Sequence, residues 1–208
     1  SITTTETWNG TSWTNVPAVL STGRQKFGTS NNGTTTAGLI FAGANTPGPP
    51  WYSLALVEEW DGSSWSVETA VTTKRNDGGG VGTQTASLLI TGYDDPAGAF
   101  RANVEEWNGT AWSEKADVNT ARQAVCCAGT TTSAMIGGGG DNGATGATEQ
   151  WNGTSWTEVA DMGTGRAHAA KGAGASGNAC IACSGNPNRV DCEEWDGAPT
   201  STVTFTSS

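Results

Sequence analysis

Apolar residues in this chain fall in short runs, such as Ala37 to Ala42 and Ala86 to Ile90, separated by clusters of Gly, Asn, Asp, Ser and Thr. No segment shows the three-and-four spacing of an amphipathic helix, so the pattern predicts short strands joined by tight turns. The stretch from Arg122 is the clearest. It predicts a strand from about Arg122 to Ala128, a turn at Gly129 to Thr132, and a second, apolar strand from Ser133 to Gly138. A Gly/Asp/Asn loop at Gly139 to Gly146 then leads to a third strand ending at Trp151, and Asn152-Gly153 turns the chain into a fourth at Thr154 to Val159.

This four-strand unit recurs. Trp-Asn-Gly or Trp-Asp-Gly stands at Trp8, Trp60, Trp107, Trp151 and Trp195, spaced 52, 47, 44 and 44 residues apart. The first four copies carry a second tryptophan five residues on (Trp13, Trp65, Trp112, Trp156), and an arginine follows each of them (Arg24, Arg75, Arg122, Arg166). A glutamate sits two residues before every first tryptophan (Glu6, Glu58, Glu105, Glu149, Glu193). Strand units of this length bury their faces only against neighbours, which predicts one all-β propeller domain over residues 1–208. The chain opens in a third strand (Ile2 to Trp8) and ends in a weak one around Thr202 to Thr206, about eighteen strands in all. Four-stranded blades then number about five, the last assembled from both ends; four blades, or an open arc of a larger ring, are the alternatives. An open arc leaves strand edges for self-assembly or a partner chain.

Asn-Gly is the strongest short hairpin signal, and a two-residue turn at Asn9-Gly10 would pair Trp8 with Thr11 and Glu6 with Trp13. Both indoles and the glutamate then share one face as packing anchors between blades. The same tripeptides, with Asn32-Gly33-Thr34, match the N-glycosylation pattern. Asp61 and Asp196 replace Asn at the equivalent turn, however, so turn chemistry is the shared requirement.

Composition narrows the partners. A net charge of −10 with ten scattered Lys and Arg excludes nucleic acid and anionic membrane as natural ligands, since both need clustered cations. The apolar runs are too short to span a bilayer. The chain has neither an initiator Met nor an opening signal peptide, and is read as processed or cut from something longer. Five cysteines, Cys126, Cys127, Cys180, Cys183 and Cys192, form no disulfide framework, although Cys183 and Cys192 can face each other across a strand pair. Zinc on Cys180, Cys183, Cys192 and His168 is disfavoured, because Cys-x-x-Cys within a strand turns its sulfurs to opposite faces.

The run Ile136-Gly137-Gly138, Trp151, Trp156 and Arg166 resembles the repeat of the kelch β-propellers: a glycine pair after the second strand, two aromatics, and an arginine opening the next unit. Trp replaces the usual Tyr, the aromatics are closer together, and the pair becomes Ala42-Gly43, Thr91-Gly92 and Ser184-Gly185 elsewhere. Trp-Asn-Gly-Thr-Ser-Trp-Thr followed by an Arg-headed strand also resembles repeats of structural proteins of marine bacteriophages. That resemblance implies a virion or extracellular surface component.

The repeated Arg and Glu read as structural contacts at each blade boundary, because catalysis needs unlike groups converging once. His168, the single histidine, reads as a packed inner-strand residue. Binding falls instead to the loops after the second strands, which differ between repeats and emerge on one face. Trp51, Tyr52 and Tyr93 are placed to stack on a sugar ring, with Asp94, Asp95, Asp141, Asn142 and Asn186 bonding its hydroxyls. No cofactor is expected; calcium at Asp94-Asp95 or Asp141-Asn142 is the one candidate, without the spaced acidic pattern of a dedicated site. The expected function is non-enzymatic: adhesion or protein–protein interaction through variable loops on a rigid scaffold. A propeller lectin binding carbohydrate between blades is the first alternative, and a kelch-fold enzyme comes last.

Overall fold

The computed structural model describes residues 3–45, 52–95, 97–140, 143–169, 173–188, 190–197 and 203–205. Among them are strands and no helix. The chain opens with a two-stranded hairpin, Thr4–Trp8 and Trp13–Val19, followed by four four-stranded antiparallel meanders. Sheet 1 comprises Gly28–Thr29, Gly38–Phe41, Val57–Trp60 and Trp65–Glu68. Sheet 2 comprises Gly79–Thr83, Ala86–Asp94, Ala99–Trp107 and Trp112–Lys115. Sheet 3 is built from Cys126–Gly129, Ala134–Gly137, Thr148–Trp151 and Trp156–Val159, and sheet 4 from Ala173–Ser176, Ala179–Cys183, Cys192–Trp195 and Val203–Phe205. The first strands of successive sheets pack side by side, sheet 1 on 2, 2 on 3 and 3 on 4, a propeller-like arrangement. Their approach is close: a Cβ on Gly80 would stand 2.4 Å from the Thr29 carbonyl oxygen.

The tryptophan hairpin has a different register from the predicted one. Trp8 pairs with Trp13 and Glu6 with Asn15, so the loop holds four residues, and the same Trp–Trp pairing recurs in sheets 1, 2 and 3. Only the glycine has positive φ (95° at Gly10), which rules out the two-residue primed turn. The asparagine acts through its side chain instead: Asn9 Oδ1 accepts the N–H groups of Thr11 and Ser12, and Asn108 and Asn152 do the same in their turns. Asp61 substitutes because its carboxylate accepts the same pair, from Ser63 and Ser64. The backbone N–H of Ser64, then that of Ser63, hold its carboxyl well below the usual range. Paired indoles still share a face with the glutamate, their rings 5.3–5.6 Å apart.

Each complete unit is clamped by a buried ion pair. Arg24 meets Glu58 and Arg75 meets Glu105 at 2.8 Å, Arg122 meets Glu149 at 2.6 Å and Arg166 meets Glu193 at 2.5 Å. The carboxylates also accept N–H groups from the connection entering their sheet: Ser21, Thr72 and Thr73, Asn119, and Gly163 and Thr164 in turn. The arginine carbonyl reaches the other way. Arg75, Arg122 and Arg166 accept N–H groups from Gly43, Gly92 and Gly139 of the preceding unit. The left-handed pair that allows this is Ala42-Gly43 and Thr91-Gly92, but Gly138-Gly139 in the third unit, one residue beyond the predicted Gly137-Gly138; Ser184-Gly185 takes the same conformation in the fourth. These contacts also explain why the first strand of sheet 3 begins at Cys126 rather than Arg122.

The seams between sheets are unequal. Leu39, Phe41, Val57 and Val71 of the first unit take Trp107 and Trp112 of the second; Leu88, Ile90, Val104 and Val118 take Trp151 and Trp156 of the third. At the third seam the corresponding residues are Met135, Gly137, Thr148 and Met162, facing Cys180 and Ala182, and no second tryptophan follows Trp195. A cavity of about 310 Å³ lies there.

Three stability outcomes follow from burial. Arg122→Ala strands the Glu149 carboxylate in the interior and is expected to cost about 3–5 kcal/mol in urea unfolding, whereas Lys115→Ala, in a surface pair with Glu106, should cost under about 1 kcal/mol. Ala182→Ile, which restores the side-chain volume that Ile136 supplies at the preceding seam, is expected to gain about 0.5–2 kcal/mol.

Candidate functional site

Beyond each arginine, the next residue bridges to the end of the second strand or the segment just after it: Gln25 to Ala44, Asn76 to Tyr93, Gln123 to Gly140, and Ala167 to Asn186. All four loops are therefore held in equivalent positions, and the connections after the arginines gather at the same end. One residue further on, the backbone forms a chain of hydrogen bonds from unit to unit. Asp77 donates to the Lys26 carbonyl (2.8 Å), Ala124 to that of Asp77 (2.8 Å), and His168 to that of Ala124 (3.0 Å). These four non-glycine residues share the left-handed conformation, with φ of 59°, 53°, 59° and 53°. Such backbone costs of order 1–3 kcal/mol per residue and persists only where its surroundings enforce it.

The side chains on this chain are unlike one another, and three of them meet. Lys26 Nζ lies 2.7 Å from Asp77 Oδ2, and His168 Nε2 approaches the same oxygen at 3.8 Å from two sheets away. Asp77 is nearly buried, while the His168 side chain is 53% exposed. His168 is thus no packed inner-strand residue: the carboxylate facing it comes from another repeat. A cation, a carboxylate and an imidazole converge once, giving ammonium and imidazole nitrogens beside a carboxylate acceptor for a polar ligand. The position two residues past each repeat arginine, occupied by Lys26, Asp77, Ala124 and His168, was the signal in the sequence.

Of the expected binding residues, Tyr52, Tyr93, Asp94, Asp95 and Asn186 are described. Trp51, Asp141 and Asn142 lie outside the described residues. Tyr52 is 46% exposed. Tyr93 packs against Phe100, with ring centres 5.1 Å apart. Asp94 is buried and paired with Arg101, and Asp95 Oδ2 accepts from Asn76 Nδ2 at 3.0 Å. Ser53 ties the first two loops together: its N–H donates to the Asp95 carbonyl, and its hydroxyl donates to the Tyr93 carbonyl and accepts from Asp95 N–H and Asn76. Tyr93 and Asp94 close the second strand of sheet 2, which runs further than the expected loop start, and the two carboxylates beside Tyr52 serve the scaffold instead of standing free for calcium or hydroxyls. Asn186 is exposed on the fourth unit, bridged to Ala167. Among the described residues no group of three or more His, Cys, Asp or Glu is placed to hold a metal.

Cys183 and Cys192 form a cross-strand disulfide, which removes both from any zinc set, and Cys126, Cys127 and Cys180 are buried thiols outside it. Cys126 and Cys180 line the cavity at the third seam.

No family model matches this chain, and no curated protein matches it. Among solved structures it is similar to one described as "Structure of YjhT", with a TM-score of 0.73 and 13% sequence identity, covering 94% of this chain and 72% of that one. At that identity the likeness shows the fold alone.

Burial, and secondarily the neighbouring Cys127, push the Cys180 thiol up to about 12. Since an unfolded cysteine ionises near 8.5, the folded form holds a neutral thiol at pH 8, and alkylation there is expected to be slow until denaturant is added, as intact mass will show. The linked stability is fully present below about pH 8.5 and is lost as pH rises toward 12.

Proposed function

We propose that this chain is a kelch-like propeller of about five blades that acts as a non-enzymatic binding and structural module, displayed on a phage virion or another extracellular surface. Its ligand is a surface glycan or protein partner engaged at the loop end. The observation that carries this reading is a division of labour among polar residues. The repeated Arg and Glu of the complete units are buried in scaffold contacts, while the unlike residues Lys26, Asp77 and His168, with the exposed Tyr52, gather where the variable loops emerge. Rigid repeats with dissimilar loops at one end suit recognition, because the scaffold carries the ordering cost before the ligand arrives. The resemblance to phage repeat proteins supports the proposed location.

The test is a titration against a panel of glycans and host-envelope polysaccharides, with and without calcium. Saturable binding weakened about tenfold or more by Tyr52→Ala or His168→Ala is the expected result. Binding that both substitutions leave unchanged, or none across the panel and a parallel screen of host-surface proteins, overturns the reading.

A further inference from the structure

The third seam departs from the other two in one consistent direction. At the first two seams the indole five residues past the first tryptophan of a repeat is buried between sheets: Trp112 against Phe41, with ring centres 5.2 Å apart, and Trp156 in the cluster that holds Val118. The corresponding position after Trp195 is Thr200. Three more positions shrink with it. Gly137, Thr148 and Ala182 stand where Ile90, Val104 and Ile136 stand at the second seam. Beyond its chain neighbours, a Cβ on Gly137 would meet nothing closer than 3.6 Å, so the space beside it is open. In place of these side chains lies the cavity of about 310 Å³, the size of a small-ligand pocket.

The walls of this cavity suit a flat ring. Met135, Met162, Cys126 and Cys180 line it, polarisable sulfur side chains that make favourable contacts with aromatic rings. Its mouth suits a cation. Ala160, Asp161 and Glu194 are the lining residues exposed to solvent, and neither carboxylate makes an ion pair among the described residues. Glu193, the third acid of the lining, is buried and engaged by Arg166. Among the described residues no Lys, Arg or His lines the cavity. We infer that it binds an arylalkylamine, with a bicyclic ring of indole size between sheets 3 and 4 and its ammonium group at Asp161 and Glu194. The ring takes the volume that an indole side chain fills at the preceding seams, so burial of apolar surface supplies the affinity. The two carboxylates select the charge: an ammonium is drawn to the mouth, and a carboxylate on the same ring is repelled. Lys26, Tyr52, Asp77 and His168 of the proposed ligand face do not line this cavity, so the inference stands apart from that reading.

Calorimetric titration of the whole chain with tryptamine, indole and indole-3-acetate tests it. Saturable one-to-one binding of tryptamine is expected, about fivefold tighter than that of indole, with indole-3-acetate the weakest of the three. Ala182→Ile sets a branched side chain in the cavity and should weaken tryptamine binding about tenfold or more. The melting temperature of that variant should hold or rise, which separates occlusion from unfolding. The exposed pair Asp161→Asn with Glu194→Gln should leave indole binding unchanged and remove the preference for tryptamine over indole-3-acetate. His168→Ala, a change at the loop face, should leave tryptamine binding as it is, so that failure of the loop reading and failure of this one are told apart. Absence of saturable tryptamine binding overturns the inference. So does tryptamine binding that Ala182→Ile leaves unchanged, or equal affinity for the amine and the acetate.

Discussion

The buried arginine–glutamate pair at the head of each unit is the contact on which the rest of the structure depends. Two charges removed from water repay their desolvation only with good geometry and further hydrogen bonds. Here the glutamate takes backbone N–H groups from the incoming connection as well as the guanidinium, and the arginine carbonyl takes an N–H from the preceding unit. One residue type at one position therefore fixes a sheet to its own entry and to its neighbour. Burial lowers the Arg75 guanidinium to about 10 against the opposing pull of Glu105, so the site does not merely tolerate its charge; it depends on the partner to hold it. Hydrophobic burial then works within this frame, with Trp107 and Trp151 closing the first two seams.

Much of this was legible in the sequence because it repeats. The tryptophans, the arginines and the glutamates announce their roles by period alone, and Glu105 or Arg122 need no coordinates to be read as scaffold. What stayed hidden depended on backbone geometry. Asn9 reads as a residue of positive φ, but its side chain caps the turn and only Gly10 takes that conformation. Asp94 and Asp95 look like free ligands in a variable loop, yet Arg101 and Asn76 engage them, contacts that sequence spacing does not display. His168 has no carboxylate in its own repeat. Its neighbour Asp77 lies 91 positions earlier and arrives only because the inner ends of the sheets converge.

Repetition and its breakdown divide the molecule. Where the seams carry large side chains they are filled; where these weaken, at Gly137, Thr148 and Ala182, a cavity opens. The same principle makes Lys26, Asp77 and His168 notable: they occupy equivalent backbone positions with inequivalent chemistry. A scaffold needs like residues at like positions, and a binding surface is free to differ.

Arginine clamps and the unit-to-unit chain of backbone hydrogen bonds lock the units into one cooperative body. Native-state hydrogen exchange of the Asp77, Ala124 and His168 amides, with those of Gly43, Gly92 and Gly139, tests it most directly. Protection close to that of global unfolding, lost together as denaturant is raised, is the predicted result. Fast exchange at these amides while the sheet amides stay protected would show that the sheets open independently, and would contradict the account.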